Sequence, residues 1–258
     1  MSKTIQHRQI LCLAAALIVA LGLAALISAE PAQAASNKAL KTTVIFTGVD
    51  QNALINGTLT EDQIQKAAED NMYTLCTTCK KPLQLKKNMK LSGKVYIPKA
   101  LLKNNGSMVN VLPILICTKG EKTHEIWGKI GLVLSNKAGA VKLNLYDITS
   151  SPVKKSGVAK LKKTKKYYVV QLNSYPLNNK TNDRTPVAVP TKGKYQTTIT
   201  FSVAGWGTAC EANLYVDDLK LVAKKTTKIN FNKKNYRKIF GFRTESGMPI
   251  KVKAAPIK

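Results

Sequence analysis

From Asn71 to Val222 the chain is a succession of short apolar runs, in many of which hydrophobic residues recur at every second position. Val141-Lys142-Leu143-Asn144-Leu145-Tyr146 alternates cleanly, as do Tyr195 to Val203 and Leu214-Tyr215-Val216 running into Leu219-Lys220-Leu221. Leu91 to Ile97 alternates in part, Val109 to Cys117 is nearly all apolar, and Gly131 to Leu134 continues the theme. A period of two sends successive side chains to opposite faces of a strand, so these runs predict strands with a buried face. Turn residues separate them: Asn104-Asn105-Gly106, Lys119-Gly120, Lys137-Ala138-Gly139, Lys192-Gly193 and Gly205-Trp206-Gly207. Many strands at short intervals predict an all-β fold, an antiparallel β-sandwich of the jelly-roll kind.

Ahead of this block, Thr42 to Phe46 is β-branched and aromatic and predicts a first strand. One short helix is expected next, because Thr60 can cap it with Gln63 three residues on, before Ile64, Ala67 and Ala68 at helical spacing. Two stretches read as irregular: Ser150 to Lys166, and Asn173 to Lys194 with Pro176, Pro186 and Pro190. The second is long for a loop in a compact domain and is a candidate binding rim. Lys224 to Lys258 carries eleven basic residues against Glu245 alone. Its apolar positions, among them Ile229, Phe231, Tyr236 and Ile239, argue for a hairpin or strand-bearing extension.

The first 35 residues read differently. Lys3 and Arg8 precede an uncharged apolar run from Ile10 to Ile27, and Ala32-Gln33-Ala34 offers small residues for cleavage. That order is a secretory signal, so the mature chain is expected outside the cytoplasm with no permanent membrane anchor. The expected organisation is a signal peptide over 1–35, a leader with first strand and helix over 36–70, the β-domain over 71–222 and a basic extension over 223–258.

The chain's formal charge is +27; the signal takes two basic residues and one acidic, Glu30, leaving about +26. So large an excess attracts polyanions and repels cations, in a salt-dependent way. Outside a cell the expected partners are a polysaccharide, a cell-wall glycan or other anionic polymers. Nucleic acid is not expected, because no groove-reading motif is present. The lysines also serve a plainer purpose, keeping sheet edges soluble.

Four cysteines lie beyond the signal: Cys76, Cys79, Cys117 and Cys210. They are disulfide candidates with three pairings open. Cys76-Thr77-Thr78-Cys79 has half the spacing of a zinc site but lacks a second pair.

Lys90-Leu91-Ser92-Gly93-Lys94-Val95-Tyr96-Ile97-Pro98-Lys99 and Ala212-Asn213-Leu214-Tyr215-Val216-Asp217-Asp218-Leu219-Lys220-Leu221 together resemble an early strand and the closing strand of jelly-roll carbohydrate-binding modules. Such modules are attached to secreted glycoside hydrolases. The resemblance implies a β-sandwich that binds a glycan without cutting it. It also implies a structural calcium, for which Asp50, Asp217 and Asp218 are the candidate ligands. The chain departs from those modules in its strong positive charge and in lacking a catalytic neighbour.

Sugar rings present apolar C–H faces, so glycan sites use exposed flat aromatics with a few polar groups. Trp206, in a turn before the closing strand, and Trp127, beside His124, are the expected platforms, with Tyr146 and Tyr175 as further candidates. Core packing is the alternative for each indole. Tyr167 and Tyr168 are adjacent in an apparent strand, so one must face inward and the other out. No catalytic residues are assigned: Glu121, Glu125, Asp147 and Glu211 fall in no hydrolytic motif, and no serine elbow is present. The expectation is a non-catalytic carbohydrate-binding protein needing no cofactor. The alternative is a cationic surface or wall-associated protein retained by charge, with the β-sandwich as scaffold.

Overall fold

In the computed structural model, the described residues are 39–49, 53, 58–128, 130–147, 157–177, 188–229, 231, 236–243 and 249–258. The expected signal peptide, Asp50 and residues 178–187 of the proline-bearing stretch lie outside them.

The described strands form two antiparallel sheets packed face to face. The first has β1 (Ala39–Thr47), β3 (Lys90–Pro98), β8 (Ala159–Lys163), β9 (Tyr167–Pro176), β11 (Ala209–Val222), β12 (Thr226–Lys228) and β15 (Lys253–Ala255). Its order is β15-β1-β11-β3-β9-β8, with β12 beside β11. The second has β2 (Met72–Cys79), β4 (Met108–Lys119), β5 (Lys122–Trp127), β6 (Ile130–Lys137), β7 (Ala140–Asp147), β10 (Gln196–Trp206), β13 (Tyr236–Arg243) and β14 (Pro249–Lys251). Its order is β14-β13-β2-β10-β4-β6-β7, with β5 beside β4.

Alternation decides which residues fill the space between the sheets. Leu40, Val44 and Phe46 of β1, Leu91, Val95 and Ile97 of β3, and Leu214 and Val216 of β11 face Leu75, Val109, Val111, Leu132, Ile199, Phe201 and Val203 in one continuous core. Each such side chain fully removed from water contributes about 1.5–3 kcal/mol. Residues 212–216 and 219–221, which alternate out of phase with one another, belong to a single strand with a bulge between Asp217 and Lys220. Asp218 takes a positive φ of 52° there, and the extra residue returns Leu219 and Leu221 to the core. The β6–β7 hairpin turns on Ala138 and Gly139, both with positive φ, the conformation a tight two-residue turn requires.

Helix α1 (Glu61–Asn71) begins with the expected capping box: Gln63 N donates to Thr60 Oγ1 at 3.3 Å and Thr60 N to Gln63 Oε1 at 2.9 Å. Glu61 and Asp62 favour the positive end of the helix dipole. At the other end Asn71 is fully buried and accepts from Thr47 N at 2.9 Å while donating to Ala67 O at 2.9 Å, which fastens the helix to β1.

Two readings of the sequence are refined here. The leader strand and the basic extension both enter the sheets: β1 pairs with β11, β13 with β2, and β15 with β1. The lysine-rich stretch 150–166 contains a strand, β8, which its charge concealed because only Ala159 and Leu161 turn towards the core.

Candidate functional site

The expected aromatic platforms do not form an exposed face. Trp127 is 5% exposed, packs on Ile114 and Ile116, and donates from Nε1 to Glu125 Oε2 at 3.1 Å. Trp206 is 3% exposed, closed beneath α1 with Ala67, Met72 and Ala204. Its neighbouring glycines suggested an open turn, yet Gly205 leaves room for the Phe46 ring, to which an added Cβ would come within 2.7 Å. Tyr175 is completely buried, and its hydroxyl accepts from Ile130 N at 3.1 Å and donates to Ile130 O. Tyr175 joins the two sheets, whereas Trp127 and Trp206 are buried in small clusters apart from the inter-sheet core, and none of the three offers a face to a sugar. Tyr146 is half-buried on β7.

Cys79, Cys117 and Cys210 are free thiols. Cys76 and Cys79 are three residues apart on β2, so their side chains leave opposite faces, and the CxxC spacing cannot chelate or close a ring. Cys79 and Cys117 lie on the core side with Thr197 of β10 between them, two strands apart at about 10 Å, beyond disulfide reach. Burial pushes both thiols up to about 12.

The acidic candidates are similarly dispersed. Asp218 forms an ion pair with Lys94, and its backbone N donates to Asp217 Oδ1 at 2.8 Å. Burial raises the Asp217 carboxyl. Among the described residues no group of three or more His, Cys, Asp or Glu converges as a metal site. Calcium takes six to eight oxygens, and a pair with one member held by lysine is a poor start for it. Burial also raises Glu125, but that carboxyl is on the outer face of the second sheet and Asp217 on the outer face of the first, so the two do not face one another. His124 stacks edge-on against Tyr195 at 5.8 Å.

What the fold does assemble is a row on the outer face of the first sheet. Lys253 of β15 lies opposite Lys41 of β1, Lys41 opposite Tyr215 of β11, and Tyr215 opposite Tyr96 of β3. Tyr96 lies opposite Val169 of β9, and Val169 opposite Lys162 of β8. The row crosses six strands, about 24 Å from end to end. Its middle is aromatic and its ends are cationic. Among the described residues no carboxylate pairs with Lys41, Lys162 or Lys253. Lys41 Nζ stands 6.0 Å from the Tyr215 ring centroid, within the range of cation–π attraction. One row along, Gln171 sits between Lys94 and Lys160, and its buried Oε1 has no protein donor.

Tyr167 joins the aromatic centre from the neighbouring position on β9, edge-to-face with Tyr215 at 5.7 Å and with Tyr96 at 6.0 Å. Burial, with Tyr215 beside it, raises the Tyr167 phenol to about 12, so it stays a hydrogen-bond donor. Tyr168 points the other way and packs against the core, with Lys99 and Lys163 at 5.7 and 5.9 Å from its ring. The adjacent pair thus divides between the faces as the alternation requires. Tyr96 and Tyr215 were present in the two segments that carry the carbohydrate-module resemblance. Their place beside each other follows from the pairing of β3 with β11, which no local pattern reveals.

Apart from the row, a cavity of about 260 Å³ is lined by Lys86, Lys87, Met89, Ile126, Leu177 and Val189. Leu177 and Val189 belong to the stretch expected to form a rim.

No protein-family model matches this chain, and no match was found among curated proteins or solved structures. The resemblance to carbohydrate-binding modules therefore rests on the two quoted segments alone. Among the described residues no helix is long and apolar enough to cross a membrane.

Proposed function

We propose that the protein is a secreted, non-catalytic binding protein for an anionic glycan or wall polymer, which it engages across the outer face of the first sheet. The observation that carries this reading is the row Lys253–Lys41–Tyr215–Tyr96–Val169–Lys162. Unpaired lysines at both ends give an extended anion two separated points of attachment, and a chain lying across the strands meets both at once. The mature charge of about +26 raises the encounter rate for such a polymer and gives a neutral one no advantage.

Recognition of a neutral glycan through Trp127 and Trp206 is not retained, because both indoles are buried. Retention by charge spread evenly over the surface is the competing reading. It predicts that any three lysines matter equally. Binding to immobilised polygalacturonate, compared with a neutral glucan and with Lys41, Lys162 and Lys253 changed to Gln, tests the proposal. The proposal expects retention on the acidic polymer alone and its loss in the variant; equal binding to the neutral glucan would refute it.

A further inference from the structure

The aromatic centre of the row is covered by the chain itself. Ala39, Tyr167, Val169 and Tyr215 are buried together, and Ile257 packs on them with Tyr96 at the side. Tyr167 donates its hydroxyl hydrogen to Lys258 O at 2.8 Å. The segment that does this has little else to hold it. β15 pairs with β1 over three residue pairs, ending at Ala255, and residues 256–258 belong to no strand. Pro256 has no N–H to offer a ladder. Among the described residues, the Ile257 side chain and the Tyr167–Lys258 hydrogen bond join this strap to the floor beneath it.

We propose that Pro256–Lys258 is an internal competitor for the polymer: it occupies the tyrosine floor in the free protein and is displaced when an anionic glycan lays its ring faces there. This rests on the binding reading above and adds to it a regulated subsite with a ligand class. The uncovered floor would present Tyr96, Tyr167 and Tyr215 to C–H faces, and the unpaired Oε1 of Gln171 to a sugar hydroxyl. The lysines recruit any polyanion. Only one built from rings gains by removing the strap, because stacking needs a flat apolar face. Covering the floor lowers apparent affinity by the fraction of molecules left closed.

The test uses the full mature chain with two probes: polygalacturonate, an anion made of sugar rings, and polyphosphate, an anion without them. Ile257→Ser removes the apolar contact, and Tyr167→Phe keeps the ring while deleting the bond to Lys258. Each is expected to tighten polygalacturonate binding about fivefold, the net worth of one weak contact. Polyphosphate affinity is expected to stay constant. If wild type binds polygalacturonate and neither variant binds it more tightly, the strap is no competitor, while polymer binding stands. If both variants tighten binding of both probes equally, stacking is refuted as the reason for displacement. If wild type and variants bind neither probe at low salt, the binding reading itself falls and the strap proposal with it.

Discussion

The hydroxyl of Tyr175, on β9 of the first sheet, is hydrogen-bonded to both main-chain groups of Ile130, on β6 of the second. One side chain thus bolts the two sheets through the core and satisfies a buried N–H and C=O at the start of a strand. Removing it with Tyr175→Phe leaves those groups unpaired, and a loss of about 1–3 kcal/mol in chemical unfolding is expected. A variant as stable as wild type would show that Ile130 finds other partners.

Gly128 exists because of that bolt. A Cβ there would run into the Tyr175 hydroxyl and stand 2.8 Å from Pro113 O. Gly128→Ala is therefore expected to destabilise by about 1–3 kcal/mol. In the double variant with Tyr175→Phe the loss should be smaller than the sum, because the clash and the bond share one oxygen atom. Strict additivity, measured by urea unfolding of all three variants, would refute the shared cause.

Glu125 carries a pH signature. Its folded carboxyl is raised by burial, so ionising it costs more in the folded state than in the unfolded chain. The sign follows: over the window between the ordinary carboxylate range and the raised value, the folded state holds the extra proton, and stability falls as pH rises. Glu125→Gln keeps an acceptor for Trp127 Nε1 and removes the charge. Its melting temperature should exceed that of wild type at pH 7 and match it at acid pH where both are neutral. A pH-independent difference would contradict this account.

The thiols give a simple check. With Cys79 and Cys117 buried and raised to about 12, and Cys76 buried, a thiol reagent should reach at most Cys210 in the folded mature protein and all four after unfolding. A mass change on reduction would reveal a disulfide and overturn the spacing argument.

The sandwich was legible because alternation is a local signal. Residues 141–146 and 195–203 announce their faces within a few positions, and Thr60 with Gln63 announces the helix. The expected platforms Trp127 and Trp206 failed for a physical reason: an aromatic beside a glycine looks exposed when only its neighbours in sequence are known. Gly128 and Gly205 instead make room for Tyr175 and Phe46, which arrive from more than 40 residues away. Tyr96 and Tyr215 were visible as residues but not as partners, because 119 positions separate them and only strand pairing brings them together. β8 was hidden because a strand at the edge of a sheet can carry lysines on its solvent side and still pair.

The most direct measurement is the salt dependence of polygalacturonate binding for two triple variants of equal charge. One replaces Lys41, Lys162 and Lys253 with Gln; the other replaces Lys80, Lys122 and Lys137, exposed lysines at turns and strand ends of the second sheet. The row variant should lose most of the affinity at low salt, and the slope of log K against log salt should fall by roughly 2 to 3, if each lysine neutralises about one anion. The control should stay close to wild type. Equal losses in the two variants would contradict the account, for binding would then belong to the charge of the whole molecule and to no face of it.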